Sequence, residues 1–248
     1  MIKLNTFSIT ARCEHTGQLG VAVSTAIPCV GMLCPFVQSG VGAIATQSFV
    51  NPYLGIWGLE NLAQGHSAEA TLKKLSDRDD GFDLRQIAIV DANGESAAFS
   101  GNQCDGWYGH LTGRNYAVAG NMLTGPETLE AMQASFCQDM ALPLAERLVH
   151  ALAAGQRAGG DKRGKQSAAL RVFSTEQYPL VDLRVDDHPD PVSELDRIYR
   201  VVERQLLPLM DLLPSRAYPA GRLDLDEARR RNLVQASTAP PLSPTNTT

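Results

Sequence analysis

Long apolar runs are missing from this chain. No stretch approaches the roughly 18 residues that a membrane-spanning helix requires, and the opening MIKLNTFSITAR lacks the apolar centre of a secretory signal. Both absences point to a cytoplasmic protein with no membrane partner. Basic charge is also in short supply. The 22 Lys and Arg are outnumbered by 27 Asp and Glu, the net charge is −5, and no basic stripe stands out. That excludes a nucleic-acid binder, which has to neutralise phosphates. The one basic cluster, Arg229, Arg230 and Arg231, reads as a solvated helical face. Cysteine is sparse and odd in number: Cys13, Cys29, Cys34, Cys104 and Cys137 match no zinc spacing. They read as reduced thiols, mostly buried. No sequence pattern calls for a metal or a cofactor.

What is present is a chain of 248 residues, 44% of them apolar, enough for a sizeable core. TFSITARC and LGVAVSTAI alternate as two strands of a hairpin around the polar EHTGQ. GVGAIATQSFV is a third strand built largely from small residues, which permit close approach of another layer. Residues from Pro52 to about Leu75 turn helical, with Ser67 as a cap for the second segment. RQIAIVDANGESAAFSG is a hairpin around Asn93-Gly94, and NYAVAGNML is another strand. Two helices follow, PETLEAMQASFCQ and LPLAERLVHALAAGQ, then the strands SAALRVF and PLVDLRV, then a helix from Pro191 to about Leu213.

Hairpins dominate and no βαβ alternation runs through the chain. The expectation is an α+β fold, two mainly antiparallel sheets stacked between helical layers in one domain over residues 1–213. Residues 214–248 form an extension, expected to be disordered from about 236, where Pro, Ser and Thr dominate. The stretch CVGMLCPFVQSGVG reads as a loop whose Met32, Leu33, Pro35 and Phe36 cover an apolar patch, and it predicts a homodimer or higher homo-oligomer.

GGDKRGKQSAAL, residues 159–170, places three glycines, one acid and three bases directly before an apolar strand. An ordinary turn needs one or two glycines. Together with TFSITAR, LGVAVSTAIPCVG, GVGAIATQSFVNP, AGNML and LRVDDHPDP, this stretch resembles an uncharacterised bacterial family grouped with the N-terminal-nucleophile (Ntn) hydrolases. The resemblance runs from Thr6 to about Leu212. It implies a four-layer αββα sandwich and, at superfamily level, hydrolysis of an amide-like bond.

Ntn chemistry uses a Thr, Ser or Cys at the mature N-terminus, whose own α-amine takes the proton. The resemblance makes Thr6 the candidate nucleophile. Five residues, MIKLN, precede it, so a free amine requires cleavage of Asn5–Thr6; otherwise Thr6 is an edge-strand residue. Asp161 is the second catalytic candidate, orienting an amine, and Arg163 would pair with a substrate carboxylate. The alternative for these two is a loop closed by an internal ion pair. Asn121 is the third catalytic candidate, as an oxyanion donor or else a turn residue. Gln166, Ser167, Ser24 and Gln47 are substrate-binding candidates. Asp186, Asp187, His188 and Asp190 look like ligands, but Asp190 followed by Pro191 is better read as a helix cap.

The expected function is hydrolysis of a C–N bond (amide, lactam, ureide, enamine or imine) in a small carboxylate-bearing metabolite. Two alternatives stay open. One is a deaminase or hydrolase on the same scaffold that uses a carboxylate base. The other is a ligand-binding protein without catalysis.

Overall fold

A computed structural model describes residues 3–4 and 6–221 of the chain. The expected disorder from about 236 and the arginine cluster at 229–231 lie outside the described residues. The chain divides into two compact units, Met1–Arg200 and Val201–Thr248.

Two antiparallel sheets organise the first unit. One runs β1 (Lys3–Leu4), β5 (Gly42–Phe49), β6 (Arg85–Asp91), β7 (Ser96–Ser100), with β4 (Pro35–Gln38) also paired to β5. The other runs β11 (Pro179–Val185), β10 (Ser167–Phe173), β3 (Leu19–Thr25), β2 (Thr6–Arg12), β9 (Tyr116–Leu123), β8 (Trp107–Gly113). Strand alternation decides which residues meet. Ala88 and Val90 of β6 pack against Ala117 and Ala119 of β9. Ala43 and Ala45 of β5 pack with Val21 and Val23 of β3 and Ala169 of β10. Small side chains at these positions let the two sheets approach each other face to face.

The larger residues face the helices. Ile44, Ile87 and Ile89 pack with Leu54 and Leu62 of α1 (Pro52–Ala63) and with Leu75 of α2 (Ala68–Ser76). Asn51 accepts from the Tyr53 N–H to start α1, and Ser67 accepts from the Ala70 N–H to start α2. On the second sheet lie α3 (Glu127–Gln138) and α4 (Leu144–Arg157). A Cβ on Gly20 of β3 would meet Leu148 at 2.8 Å, and one on Gly155 of α4 would meet Phe7 at 3.3 Å. Leu148 and Leu152 are fully buried, each contributing about 1.5–3 kcal/mol.

Three segments differ from the sequence reading. The last helix, α5, stops at Gln205, and Leu207–Leu212 is a 3-10 turn. Pro208 supplies no N–H and its ring clashes with the preceding turn, so the α-helix ends before it. The stretch after Cys29 is not a plain loop: it forms a 3-10 turn, Val30–Met32, and then β4. Of its four apolar residues only Met32 is well exposed, at 59%, because Pro35 is buried and Leu33 and Phe36 pack into the core. The patch expected there to drive oligomer formation therefore shrinks to one side chain. β8 is the third difference, a strand the sequence reading left unassigned.

A buried ion pair ties the start of β6 to the loop after α2. Arg85 Nε donates to Asp79 Oδ2 at 2.9 Å, both side chains being 9% exposed. Asn51 Nδ2 donates to the same oxygen at 2.9 Å, the Gly81 N–H donates to Oδ1, and Arg85 Nη1 donates to the Phe49 carbonyl. Burial opposes ionisation of Asp79, but the hydrogen bonds from Arg85, Asn51 and Gly81 outweigh it and hold its pKa below the usual carboxylate range. A depressed carboxylate pKa adds stability above the unfolded value of about 3.9, and that stability is lost as pH falls through the lower folded value. Asp79→Asn should cost about 3 kcal/mol at pH 7. It should also flatten the acid limb of stability, measured by urea unfolding at pH 7 and pH 3. Parallel acid limbs in wild type and variant would exclude Asp79 as the source.

Candidate active site

Strand register brings the candidate residues into two facing rows. On the second sheet Ser167 pairs with Thr25, and Thr25 pairs with Thr6. The β2–β9 register, Phe7 opposite Gly120, carried one residue further sets Asn121 beside Thr6. Directly paired residues share a face, so Ser167, Thr25, Thr6 and Asn121 form one row. On the first sheet Gln47 pairs with Gln86, and Gln86 with Ser100. Asn121 Nδ2 donates to Gln86 Oε1 at 2.8 Å, which joins the rows across the gap between the sheets.

Thr6 opens β2 and is completely buried. Its Oγ1 has no hydrogen-bond partner among the described residues. Immediately before it the chain changes sheets: Lys3–Leu4 pair with β5 in the first sheet, and Thr6 begins pairing in the second.

The glycine-rich loop closes over the same end. Gly159, Gly160 and Gly164 have φ of 130°, 61° and 115°. A Cβ on Gly159 would collide with Thr124 Oγ1. Backbone geometry thus accounts for all three glycines. The path they set pairs Asp161 with Leu123 at the end of β9. The Lys162 N–H donates to the Met122 carbonyl at 3.0 Å, and the Gln166 N–H to Thr25 O at 2.8 Å. Asp161 Oδ2 accepts from the Ala26 N–H, just beyond β3, at 3.3 Å. β3 and β9 flank β2, so Asp161, its carboxylate on Ala26 and its backbone on Leu123, joins the two strands on either side of the one that Thr6 begins.

Arg163 binds this carboxylate from within the loop. Its Nε and Nη2 donate to the two Asp161 oxygens at 3.1 and 2.6 Å, and its N–H donates at 2.9 Å. The Asp161 side chain is fully buried and that of Arg163 is 33% exposed. The internal ion pair of the alternative reading is therefore present.

The remaining candidates divide. Gln47 Nε2 donates to Gln86 Oε1 at 2.7 Å, inside the buried network. Ser167 Oγ donates to Ile27 O at 2.6 Å and accepts from the Val30 N–H at 3.1 Å. Gln166 is turned to Asp187, 3.0 Å away, at the surface. Ser24 is paired with Phe7, so it lies on the helix-facing side of the sheet, opposite to Thr6, and donates to Ser167 O. The acids after β11 are used locally: Lys165 pairs with Asp190 at 2.6 Å, and Arg184 with Asp186 at 2.8 Å. Hydrogen bonds from Lys165 and Ser193 lower the Asp190 pKa, as expected of a carboxylate at a helix start.

Gln86 is the residue the sequence reading missed. It is fully buried. Its Oε1 accepts from Gln47 and Asn121, and its Nε2 lies 2.7–3.1 Å from Ser100 Oγ, Gly109 O and Gly120 O. Ser100 Oγ is in turn 3.0 Å from His110 Nδ1. Cys34 lies beside Gln47, and burial pushes its thiol up to about 12, so it stays protonated and is no nucleophile.

Of the four non-glycine residues with left-handed backbone among the described residues, three lie at this end and one, Asn115, lies between β8 and β9 at the other. Ser48 at the end of β5, Met122 in the last turn of β9 and Cys29 after β3 have φ of 67°, 55° and 61°. Each non-glycine residue in this region costs about 1–2 kcal/mol. Such strain tends to persist where function requires it.

The family model described as "Family of unknown function (DUF1028)" matches residues 6–195. Among solved structures, a protein of Silicibacter pomeroyi assigned to the same family model is 31% identical, with a TM-score of 0.81, covering 88% of this chain and 96% of that one. Anbu (ancestral beta-subunit) from Yersinia bercovieri is 12% identical, with a TM-score of 0.37 over 85% of this chain and 99% of that one. A Gly-1 mutant of Anbu from Hyphomicrobium sp. strain MC1 is also 12% identical, with a TM-score of 0.39 over 85% and 100%. No curated protein matches the chain.

Proposed function

We propose that this chain, which belongs to the DUF1028 family, is a cytoplasmic Ntn-type hydrolase of C–N bonds, built as a four-layer αββα sandwich. One observation carries the reading. Thr6, the first residue of its strand, has a buried hydroxyl without a partner among the described residues, and Asp161 bridges the two strands that flank it. The five free cysteines fit a reducing compartment.

The chemistry begins with the chain itself. Thr6 Oγ1 attacks the Asn5 carbonyl and the Asn5–Thr6 C–N bond breaks, leaving an ester on Oγ1. Water hydrolyses the ester, the Asn5 carboxylate departs with MIKLN, and Thr6 gains a free α-amine. An α-amine titrates near 7.7–8.0, so it can take the Oγ1 proton when the hydroxyl attacks a substrate. The substrate C–N bond breaks as the proton passes to the leaving nitrogen, the acyl group stays on Oγ1 as an ester, and a second water hydrolyses that ester to free the acid and restore Thr6. Asp161 orients the amine. Asn121 faces the oxyanion, its amide fixed by Gln86 and, through Gln86, by Gln47. Arg163, part-exposed beside Asp161, meets the carboxylate of a small metabolite. A homo-oligomer remains part of the proposal, with Tyr53, Ile56 and Met32 as its exposed apolar residues.

Intact mass tests the reading. The purified protein should lack MIKLN, and a Thr6→Ala chain should keep it. A wild-type chain that is full length, or short of Met1 alone, has no Thr6 amine and leaves the carboxylate-base or non-catalytic alternatives.

A further inference from the structure

Arg147, in the first turn of α4, is 2% exposed, yet no carboxylate lies within 4.0 Å of it among the described residues. An arginine this deeply buried almost always has a counter-charge. Part of the guanidinium is used: Nε and Nη2 donate to the Phe136 carbonyl near the end of α3, at 3.2 and 2.9 Å. Nη2 also reaches Met140 Sδ, and the group stacks 3.9 Å from the centre of the Phe136 ring. Nη1 is buried and has no hydrogen-bond partner among the described residues. Burial lowers the Arg147 pKa, the direction expected of a cation short of compensation.

A cavity of about 390 Å³ adjoins this side chain, lined by Arg147, Ser135, Gln138, Asp139, Leu142 and His150. Its size suits a small metabolite. The walls are polar and carry both charges. Asp139 would repel a dianion, whereas one negative charge beside Arg147 supplies the missing counter-ion. His150 is held to the Glu146–Arg200 pair, 3.2 Å from Arg200 Nη2, and Asp139 is bonded to the Ala141 N–H. Arg147 is thus the cation in this wall without a directly paired acid, Asp139 acting on it only at longer range.

We propose that the α3–α4 cavity is a binding site for a small monocarboxylate held by Arg147. The site is separate from Thr6 and does not depend on the hydrolase reading.

Acetate serves as the probe, with inorganic phosphate as comparison, both at constant ionic strength against chloride. Thermal unfolding of the full chain should shift upward with acetate, by about 3–6 °C at ten times the dissociation constant and with the logarithm of concentration beyond it. Arg147→Met removes the charge, and Leu142→Trp fills the cavity while leaving Arg147 and its stacking in place. Each should weaken acetate binding at least tenfold, keeping the shift below about 2 °C at the same concentration. The paired variants keep the test open if one fails to fold. No upward shift in wild type beyond the chloride control, or equal shifts in the variants, overturns the site. Phosphate binding more tightly than acetate overturns the monocarboxylate assignment.

Discussion

Thr6→Ala should abolish C–N hydrolysis, a fall of at least about 10³-fold, while leaving the fold at least as stable as wild type. The two halves of this expectation have separate causes. Activity goes because the attacking oxygen is gone. Stability holds because two terms oppose. The variant gives up buried apolar contact worth about 0.8 kcal/mol for the methyl group. It also removes a buried hydroxyl without a partner, and relieving such a group returns about 1–3 kcal/mol. The net change should lie between about zero and about 2 kcal/mol of added stability. A β-lactone that acylates N-terminal threonines gives a readout before any natural substrate is known. Wild type should gain one adduct, mapped to Thr6 by mass spectrometry, and Thr6→Ala none. Thr6→Ser keeps the oxygen and should keep labelling. Equal labelling of the alanine variant would move the nucleophile elsewhere.

Asp161→Ala should lose both stability and activity. Its carboxylate accepts from the Ala26 N–H and from three donors of Arg163. Breaking a fully buried pair costs about 3–5 kcal/mol, but Arg163 is one-third exposed and can turn to water. The lower end, about 3 kcal/mol, is therefore expected, equivalent to a melting point lower by about 6–12 °C for a chain of this size. β-Lactone labelling should slow by more than about 100-fold. Asp161→Asn keeps an acceptor for the Ala26 N–H, so it should cost less stability yet lose similar activity. A change below 1 kcal/mol in the alanine variant would mean that the loop holds its course on glycine geometry alone.

The strands and helices with clean periodicity were legible in the sequence: the β2–β3 hairpin, α3, α4 and the Asn93-Gly94 turn all lie where alternation and turn chemistry put them. β4 and β8 were not. β4 is four residues long and begins at Pro35, and β8 has few buried residues to set a period. The site was half legible. Clustered charge and glycine marked Asp161 and Arg163, but only the register between distant strands shows Ser24 facing away from Thr6. Gln86 did leave a signal. It sits in phase with Ala88 and Val90, as Gln47 does with Ala43 and Ala45, and Asn121 with Ala117 and Ala119. A polar residue ending a small-residue alternation marks where the inter-sheet space stops being apolar. One chain alone does not say that three such endings meet.

The strand order of the six-stranded sheet sets a timetable for synthesis. Its central hairpin, β2 and β3, leaves the ribosome first, yet its two flanks are filled by β9, which ends at Leu123, and β10, which ends at Phe173. At 5–20 residues per second, the free edge of β3 waits roughly 7–30 s for its partner. During that interval two apolar strands present unpaired backbone to any neighbouring nascent chain. Closing such a sheet also joins segments far apart in sequence, which slows folding after release. Yield in a heterologous host should therefore respond to translation rate and chaperone supply more than to the stability of the finished protein.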